Sequence, residues 1–168
     1  MTAVKTPQRT YTTRIDLPVE TRKKAIDLLN KSLAATVDIW TQTKFAHWNV
    51  KGQNFYQLHL LFDEIAGELY EYIDLQAERV TTLGGTALGT LRMAAENTPL
   101  KEYNVEAVDG SEHLPALADQ LAAFAKLARE GIATADDLDD ADTADLYTEI
   151  SRKVDMRLWF LDAHMQKR

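Results

Sequence analysis

Residues 47–64 read HWNVKGQNFYQLHLLFDE and contain the end of one predicted helix and the start of the next. Upstream of them, apolar side chains recur every three or four residues, which is the spacing of a helical stripe. The stripe consists of Ile26, Leu29, Leu33, Val37 and Trp40. It predicts a first helix from near Pro18, a residue that is tolerated in a first turn, to about Val50. Gly52 is expected to end this helix.

A second helix is predicted from near Asn54 to the pair Gly84-Gly85. Its apolar positions recur with the same period and are Phe55, Leu58, Phe62, Ile65, Leu69, Ile73, Val80 and Leu83. Two long helices joined by a short turn form an antiparallel hairpin. Two histidines, His47 and His59, therefore lie on either side of the turn of a predicted helical hairpin.

The rest of the chain predicts a long crossover and two further helices. Residues 86–110 form the crossover, with room for one short helix around Leu91 to Glu96. Ser111 is the expected N-cap of a third helix. An aspartate-rich segment, residues 135–142, separates it from a fourth helix, for which Asp142 is the expected cap.

Four long helices with one long crossover between the second and the third describe a ferritin-like bundle. The sequence shows no alternating strand pattern, internal repeat or second domain. The predicted fold is therefore all-α: a ferritin-like four-helix bundle with a short extra helix in the long crossover between helices 2 and 3. We expect residues 1–16 to be a flexible, mildly basic tail and residues 17–168 to be a single bundle domain.

Composition narrows the range of functions. The 168-residue chain has a formal net charge of -7 and no cysteine. An acidic body repels nucleic acid and anionic membranes and concentrates cations, unless basic residues are segregated. The lack of cysteine excludes disulfides, thiolate metal sites and thiol nucleophiles. No apolar run approaches membrane-spanning length, and the N-terminal segment lacks the apolar region of a signal peptide. We therefore expect a cytoplasmic protein with no membrane partner.

A polar stripe on the second helix faces away from the predicted core. At about 100° per residue, one set of polar side chains clusters roughly 120° from the apolar stripe. The set comprises His59, Asp63, Tyr70 and Asp74, with Glu78 lying further round. An ordinary di-iron bundle instead directs Glu-x-x-His motifs inward from two helices, and that motif does not occur in this chain. A metal site built from these side chains would therefore lie outside the core of one subunit.

Distance along the helix indicates a site shared between subunits. His59 and Asp74 are fifteen residues apart. This separation is about 22 Å along a helix, whereas metal–ligand bonds are about 2.0–2.6 Å long. Two copies of the helix that cross antiparallel near Gly67 would bring residue 59 of one copy to residues 74–78 of the other. Each of two identical sites would then combine His47, His59 and Asp63 of one chain with Asp74 and Glu78 of its mate.

Two interpretations of these five residues stay open on spacing alone. Taken singly, a histidine near a helix end is usually solvated or hydrogen-bonded, and an Asp-x-x-x-Glu pair is usually a wet helix face. Taken together, two imidazoles and three carboxylates are the mixed nitrogen and oxygen set that suits iron and other borderline divalent ions.

Four runs carry a family resemblance: KFAHWNVKGQNFYQLHLLFDE, DLQAERVTTLGGTALGT, TPLKEY and DTADLYTEISRKVDMRLWFLD. They resemble the Dps family, the mini-ferritins also called DNA-binding proteins from starved cells, from about Thr21 to Asp162. The HWN-x-x-G-x-x-F-x-x-x-H and D-x-x-x-ER segments are the most specific. In that family the matching residues bind iron together with the D-x-x-x-E pair of a neighbouring subunit. The resemblance implies iron ligands at His47, His59, Asp63, Asp74 and Glu78, with no departure from the pattern.

The resemblance also implies an activity and an assembly. Dps proteins form hollow shells of twelve subunits, oxidise Fe(II), preferentially with hydrogen peroxide, and hold the ferric mineral inside. It therefore implies a ferroxidase with a two-metal iron site that protects DNA, with Fe(II) and hydrogen peroxide as substrates. Trp48, next to a ligand, has two interpretations: a one-electron donor to the site, or packing in an interface.

The acidic segment that joins the third and fourth helices also has two interpretations. Its carboxylates are Asp136, Asp137, Asp139, Asp140 and Asp142. One interpretation is a solvated loop with a helix cap. The other, implied by the resemblance, is a contribution to an acidic three-fold pore for iron entry, together with Asp119. The loop carries a few extra residues relative to the family, so no single pore residue is assigned. His113 and His164 show no partner pattern and are expected to be structural.

Two other functions compete with iron oxidation and storage. One is a non-specific DNA-binding and compacting protein whose metal site is secondary, and the other is a helical assembly protein with no chemistry. Basic tails separate the first of these from a ferroxidase. The N-terminal tail offers Lys5, Arg9 and Arg14, and the C-terminus adds Lys167 and Arg168. DNA binding through these tails would place the protein at the nucleoid.

Overall fold

The computed structural model describes residues 9–166, so Lys5, Lys167 and Arg168 of the predicted basic tails lie outside the described residues. Five helices occupy most of this range: α1 (Val19–Asn49), α2 (Phe55–Thr82), α3 (Leu91–Asn97), α4 (Gly110–Asp137) and α5 (Ala141–Met165). Between residues 9 and 166 no strand forms, although Lys51 and Asp109 make an isolated parallel bridge. The predicted all-α fold, with its short helix in the crossover, is confirmed.

The four long helices pack as two pairs, α1 on α2 and α4 on α5. Contacts of α1 with α4 and of α2 with α5 close the bundle, and α3 packs on α1. No helix within the described range is long and apolar enough to cross a membrane.

The predicted apolar stripes form the core of the bundle with a few exceptions. On α1 the stripe is buried except for Trp40, which is half-buried. On α2 it is buried except for Ile73, which is half-buried, and Phe55, which is exposed. Phe55 is the first residue of α2, and its ring lies 5.1 Å from the ring of His59 instead of in the core.

Both predicted N-caps of the second helix pair were wrong by two residues. Asp109, not Ser111, caps α4, because Asp109 and Glu112 form a reciprocal capping box. The Asp109 carboxylate accepts from the backbone N–H of Ser111, and Glu112 accepts from the backbone N–H of Asp109. Asp140, not Asp142, caps α5, since its carboxylate accepts from both the backbone N–H and the hydroxyl of Thr143.

The Gly84-Gly85 pair ends α2 as predicted. Gly84 has φ +87°, a left-handed conformation that favours glycine. A Cβ atom on Gly84 would collide with the backbone oxygen of Tyr11, and the Tyr11 N–H donates to the Gly84 oxygen over 2.7 Å. The chain before α1 is therefore attached to the end of α2 at residue 11.

Candidate metal centre

A tight turn brings the end of α1 beside the start of α2. Gly52 adopts φ +98°, and its carbonyl accepts from the Phe55 N–H that opens α2. The preceding residue, Lys51, donates its backbone N–H to Val108 over 3.0 Å. Because Val108 and Asp109 immediately precede α4, the turn is held against the start of the second helix pair. The two elements that carry His47 and His59 are therefore fixed relative to each other.

His47 and His59 form a stacked, reciprocally hydrogen-bonded pair. Their rings lie 3.8 Å apart at an interplanar angle of 20°. Nδ1 of His47 lies 2.8 Å from the His59 backbone oxygen, and Nδ1 of His59 lies 2.9 Å from the His47 backbone oxygen. A carbonyl oxygen only accepts, so both Nδ1 atoms carry the proton and donate. In the neutral rings this leaves Nε2 of each histidine with a free lone pair, the form that binds a metal ion.

The reciprocal arrangement also completes the end of α1. The last four carbonyls of a helix have no partner within that helix. His47 is in the last turn of α1, and its oxygen receives the His59 ring instead. The two histidines are thereby oriented by backbone atoms and not by flexible side chains.

Asp63 lies one helical turn after His59 and joins this pair. Its Oδ1 atom is 3.8 Å from His47 Nε2 and 2.7 Å from the Nζ atom of Lys44. The hydrogen bond and positive charge of Lys44 hold the pKa of the Asp63 carboxyl below its usual value. A charged carboxylate and two oriented imidazoles thus lie together at the end of the hairpin.

Lys44 belongs to this cluster although the sequence analysis did not include it. Its ammonium group also lies 5.7 Å from the centroid of the Trp48 ring. Lys44 precedes His47 by three residues on α1, a spacing that places both side chains on one helix face. That spacing was the signal available in the sequence.

The other two predicted ligands, Asp74 and Glu78, are not brought to the histidines. Both are exposed on α2, fifteen and nineteen residues beyond His59. Among residues 9–166 no group of three or more histidine, aspartate or glutamate side chains is arranged to hold a metal ion. One subunit therefore carries two separate parts of the predicted ligand set.

The α2 surface between these two parts is open. Gly67 is exposed, and a Cβ atom placed on it would meet nothing within 4 Å. Two large aromatic side chains are also exposed, Trp48 at the end of α1 (68%) and Tyr70 on α2 (61%). The exposed position of Trp48 at the end of α1 is compatible with both of its interpretations, electron donor and interface packing.

The end of α2 that carries Glu78 is anchored by its neighbour Arg79. The Arg79 guanidinium donates to Asp140 over 2.6 Å and to the Thr143 hydroxyl over 3.0 Å. Asp140 is almost fully buried, so this carboxylate of the acidic segment has a structural partner. The other four aspartates of the segment and Asp119 are exposed.

The other residues singled out in the sequence are the tail arginines and the histidines His113 and His164. Arg9 and Arg14, the described part of the basic N-terminal tail, are exposed. His164 donates from Nδ1 to the Phe160 oxygen on its own helix. His113, in contrast, is fully buried and lies 2.9 Å from the Tyr103 hydroxyl, a partner that the sequence analysis missed.

Comparisons with known proteins agree with this architecture. The family described as ferritin-like domain matches residues 26–168. The DNA protection during starvation protein of Agrobacterium fabrum is 41% identical over 160 residues, which are 95% of this chain and 99% of that protein. DpsC from Streptomyces coelicolor superposes with a TM-score of 0.90 at 33% identity, covering 95% of this chain and 94% of that one.

A third relative carries an explicit chemical description. The Dps protein from Vibrio cholerae, described as a member of a broad superfamily of ferritin-like diiron-carboxylate proteins, superposes with a TM-score of 0.86 at 27% identity. The match covers 92% of this chain and 97% of that one. Fold, sequence identity and coverage agree that the chain belongs to the Dps proteins of the ferritin-like family.

Proposed function

We propose that this protein oxidises Fe(II), preferentially with hydrogen peroxide, at a site shared between two subunits, and stores the ferric product in a hollow shell. The observation that carries the proposal is the His47–His59 pair, in which both Nδ1 atoms donate to backbone oxygens. This arrangement leaves two Nε2 atoms free to bind a metal ion, and Nε2 of His47 lies 3.8 Å from the Asp63 carboxylate. Removal of Fe(II) and peroxide together would protect DNA from oxidative damage.

The separation of the ligands supports a shared site. His47, His59 and Asp63 cluster at one end of α2, and Asp74 and Glu78 lie exposed near its other end. An antiparallel crossing of two α2 helices at Gly67 brings the two parts into register, since the crossing lies midway between residues 59 and 74–78. The open space at Gly67 lets the two backbones approach closely.

The donor set fits iron as a substrate. Two imidazole nitrogens and three carboxylates bind a borderline divalent ion, and the hard carboxylate oxygens favour Fe(III) over Fe(II). Oxidation of two Fe(II) ions by one peroxide, with uptake of two protons, gives two Fe(III) ions and two water molecules. His47 and His59 would hold the iron, and Asp63, Asp74 and Glu78 would stabilise the added positive charge.

The proposed assembly is a shell of twelve subunits in the cytoplasm, in contact with the nucleoid if the basic tails bind DNA. The exposed aspartates of the α4–α5 connection and Asp119 would attract Fe(II) to the shell, because carboxylates concentrate cations. These carboxylates attract the substrate and are not ligands of the oxidation site.

Anaerobic titration of the purified shell with Fe(II), followed by one addition of hydrogen peroxide, tests this function. We expect saturable Fe(II) binding, rapid peroxide-dependent oxidation and iron that elutes with the shell. Variants in which His59 or Asp74 is replaced by alanine should assemble but oxidise iron slowly. Equal oxidation rates in these variants and in the unaltered protein would refute the assignment of the site.

A further inference from the structure

A buried tyrosine and a buried histidine form a hydrogen-bonded pair outside the candidate metal centre. Tyr103 lies in the crossover between α3 and α4, and His113 lies in the first turn of α4. The Tyr103 hydroxyl is 2.9 Å from Nδ1 of His113, and the two rings are nearly parallel with centroids 6.0 Å apart. His113 has no exposed surface, and Tyr103 is 8% exposed.

The surroundings indicate which atom carries the shared proton. Within residues 9–166, Nε2 of His113 makes no hydrogen bond of standard length. The backbone of Ala107 is the other hydrogen-bonding neighbour of the ring. A ring protonated on Nε2 satisfies this environment and leaves Nδ1 to accept from the Tyr103 hydroxyl. The opposite tautomer would leave the buried phenol proton without an acceptor.

Burial makes both members of the pair neutral at rest. It raises the pKa of the Tyr103 hydroxyl, so the phenol does not ionise by itself. Burial also lowers the pKa of His113, against the opposing effect of nearby Glu112 and Asp109, so the imidazole is free to receive a proton. The 2.9 Å contact gives the phenol proton an acceptor, so loss of an electron from Tyr103 can be coupled to transfer of that proton to His113.

Aromatic rings connect this pair to the candidate metal centre. The Phe45 ring lies 5.4 Å from Tyr103 and 6.5 Å from His113, two residues before His47 on α1. The Phe62 ring lies 6.5 Å from His113 and immediately precedes Asp63 on α2. The pair therefore packs against two rings that lie within two residues of the predicted ligands His47 and Asp63.

We propose that the Tyr103–His113 pair is a proton-coupled one-electron donor that quenches radicals formed at the iron site. The proposal rests on the iron oxidation proposed above. When peroxide meets a lone Fe(II), one electron passes to peroxide and gives Fe(III), hydroxide and a hydroxyl-radical-class oxidant. That oxidant takes one electron from Tyr103 and becomes hydroxide, and the phenol proton moves to Nδ1 of His113. The products are a neutral tyrosyl radical and an imidazolium.

A second Fe(II) restores the pair. It supplies one electron to the tyrosyl radical, the proton returns from His113, and Fe(III) is formed. The sum of both steps is the oxidation of two Fe(II) by one peroxide, with no free radical released. Tyr103 borders a surface cavity of about 500 Å³ whose lining includes Glu102 and Asp119, and these carboxylates would attract the incoming Fe(II).

Another buried tyrosine provides a matched comparison. Tyr147 is fully buried, and its hydroxyl has no hydrogen-bond partner of standard length in the described range. Its ring lies against Gly131 in the α4–α5 pair, and the polar neighbour of its hydroxyl is the Ser32 hydroxyl, which is a far weaker base than an imidazole. The proposal therefore expects an oxidisable phenol at Tyr103 and none at Tyr147.

Freeze-quench electron paramagnetic resonance after mixing the Fe(II)-loaded shell with peroxide tests the proposal. Iron oxidation is followed by absorbance in the same mixture. We expect a tyrosyl signal with a strongly coupled exchangeable proton, identified by its change in D₂O, which the Tyr103→Phe variant loses and the Tyr147→Phe variant keeps. His113→Gln should keep iron oxidation and assembly but lose the exchangeable proton coupling. Spin-trapped hydroxyl radical should increase in both the Tyr103 and His113 variants.

The outcomes separate this proposal from the function on which it rests. A shell that oxidises iron without a Tyr103-dependent signal overturns the radical-quenching role and leaves the ferroxidase intact. A shell that does not oxidise iron overturns both. An unchanged signal in Tyr103→Phe assigns the radical to another side chain, such as Trp48, and also overturns the proposal. Circular dichroism and shell size verify that each variant folds and assembles.

Discussion

His47 and His59 hold each other in place through their backbones: each ring donates from Nδ1 to the other residue's carbonyl oxygen, over 2.8 and 2.9 Å. The same two hydrogen bonds orient both imidazole rings and provide a partner for the His47 carbonyl at the end of α1. Neither histidine can turn its Nε2 atom away without losing a hydrogen bond to a backbone oxygen, and the bond donated by His59 completes the end of α1. The other predicted ligands, Asp74 and Glu78, lie too far along α2 to join them in one subunit, so a site that includes all five residues needs a second subunit.

Complementation between two inactive variants should restore activity. His59→Ala removes a donor from one part of the site, and Asp74→Ala removes a donor from the other part. In a mixed dimer, one site carries both defects and the other carries neither. Random mixing makes half of the dimers mixed, so about a quarter of all sites should be intact. The measurement is the rate of peroxide-dependent Fe(II) oxidation by co-expressed shells with verified mixing.

Two controls accompany the complementation. Shells that contain either variant alone should give only background oxidation, and mixtures assembled separately without subunit exchange should give the average of the two. Co-assembled shells with no recovery would mean that His59 and Asp74 act in the same subunit or do not act in the site.

Gly67 should tolerate a small side chain and reject a large one. Gly67→Ala adds a Cβ atom into open space and should stabilise α2 by up to about 1 kcal/mol. Gly67→Trp should also leave the subunit helical but should hold two α2 helices apart and prevent the shared site. Size-exclusion chromatography with light scattering gives the assembly state, and circular dichroism gives the helix content. A complete, active shell in Gly67→Trp would place the α2 crossing elsewhere.

Removal of Lys44 should strengthen Fe(II) binding. The Lys44 ammonium is 2.7 Å from Asp63 Oδ1 and competes with a cation for that carboxylate. An exposed ion pair contributes about 0.2–1 kcal/mol, so Lys44→Met should lower the Fe(II) dissociation constant by up to about fivefold. Lys31→Met, an exposed lysine on the same helix, is the matched control. Anaerobic calorimetric titration measures both, and weaker binding in Lys44→Met would instead assign Lys44 a supporting role.

The pH dependence of that variant follows from the shift of Asp63. Lys44 lowers the pKa of the Asp63 carboxyl, so this carboxylate stays charged to lower pH in the unaltered protein. Without Lys44 the carboxyl takes up its proton at higher pH. As the solution is acidified, metal binding by Lys44→Met should therefore begin to weaken at a higher pH than metal binding by the unaltered protein. Titrations of both proteins between pH 6 and about pH 4 would detect this difference.

Arg157 should contribute to subunit stability independently of the metal centre. From α5 it donates to Glu68 over 2.9 and 2.7 Å and to Glu64 over 2.9 Å. Arg157→Met leaves the half-buried Glu68 carboxylate with Lys153 alone, at 3.3 Å. We expect the free energy of unfolding to fall by about 2 kcal/mol, less than for a fully buried pair because Glu64 is exposed. Arg129→Met, which breaks an exposed pair with Asp155, should change it by about 1 kcal/mol or less.

The effect of Arg157 should also depend on pH. Burial alone would raise the pKa of Glu68, but the hydrogen bonds and charges of Arg157 and Lys153 outweigh burial and lower it. A carboxyl with a lowered pKa stabilises the fold above its unfolded pKa, and this contribution is lost as the pH falls through the folded value. The difference between Arg157→Met and the unaltered protein should be complete at pH 7 and shrink below the ordinary value of 4.5. Thermal unfolding at equal protein concentration measures it.

Periodicity and glycine positions were sufficient to predict the helices, because each long helix buries one continuous stripe. The predicted N-caps of α4 and α5 were wrong because two possible capping residues lie within two residues of each other at each helix start, as with Asp109 and Ser111. The competing acceptor was favoured by a partner further along: Glu112 completes the capping box of Asp109. For α5, the distant Arg79 fixes Asp140. A contact between distant segments is not visible in local spacing.

The candidate site was predictable to the extent that it follows one helix. The spacing of His59, Asp63 and Asp74 on α2 was enough to exclude a site within one subunit. The stacking of His47 on His59 and the ion pair of Lys44 depend on the turn at Gly52. The hydrogen bond of Lys51 to Val108 holds this turn in place, so that the end of α1 lies beside the start of α2. The Tyr103–His113 pair depends on the path of the crossover, for which the sequence carries no periodic signal.

DNA binding should come from the tails. The subunit has a net charge of -7, so the shell body repels DNA. The N-terminal tail carries Lys5, Arg9 and Arg14, and the two described members are exposed. One tail makes a weak contact with small counterion release. On the proposed twelve-subunit shell, the other tails would bind at high effective concentration after the first contact. We therefore expect weak-to-moderate, sequence-independent binding that decreases steeply with salt.

Two variants separate the charge of the tail from its attachment to the bundle. Deletion of residues 1–14 removes the basic side chains together with the Tyr11 hydrogen bond to Gly84. The triple replacement of Lys5, Arg9 and Arg14 by glutamine removes only the charges. Both variants should lose DNA binding in gel-shift salt series and keep assembly and iron oxidation, because the tail contributes no ligand. Binding retained by the triple variant would assign the contact to the C-terminal Lys167 and Arg168 or to metal-bridged carboxylates, and chelator addition distinguishes these two. If the unaltered shell does not bind DNA even at low salt, the protein protects DNA through iron and peroxide removal alone.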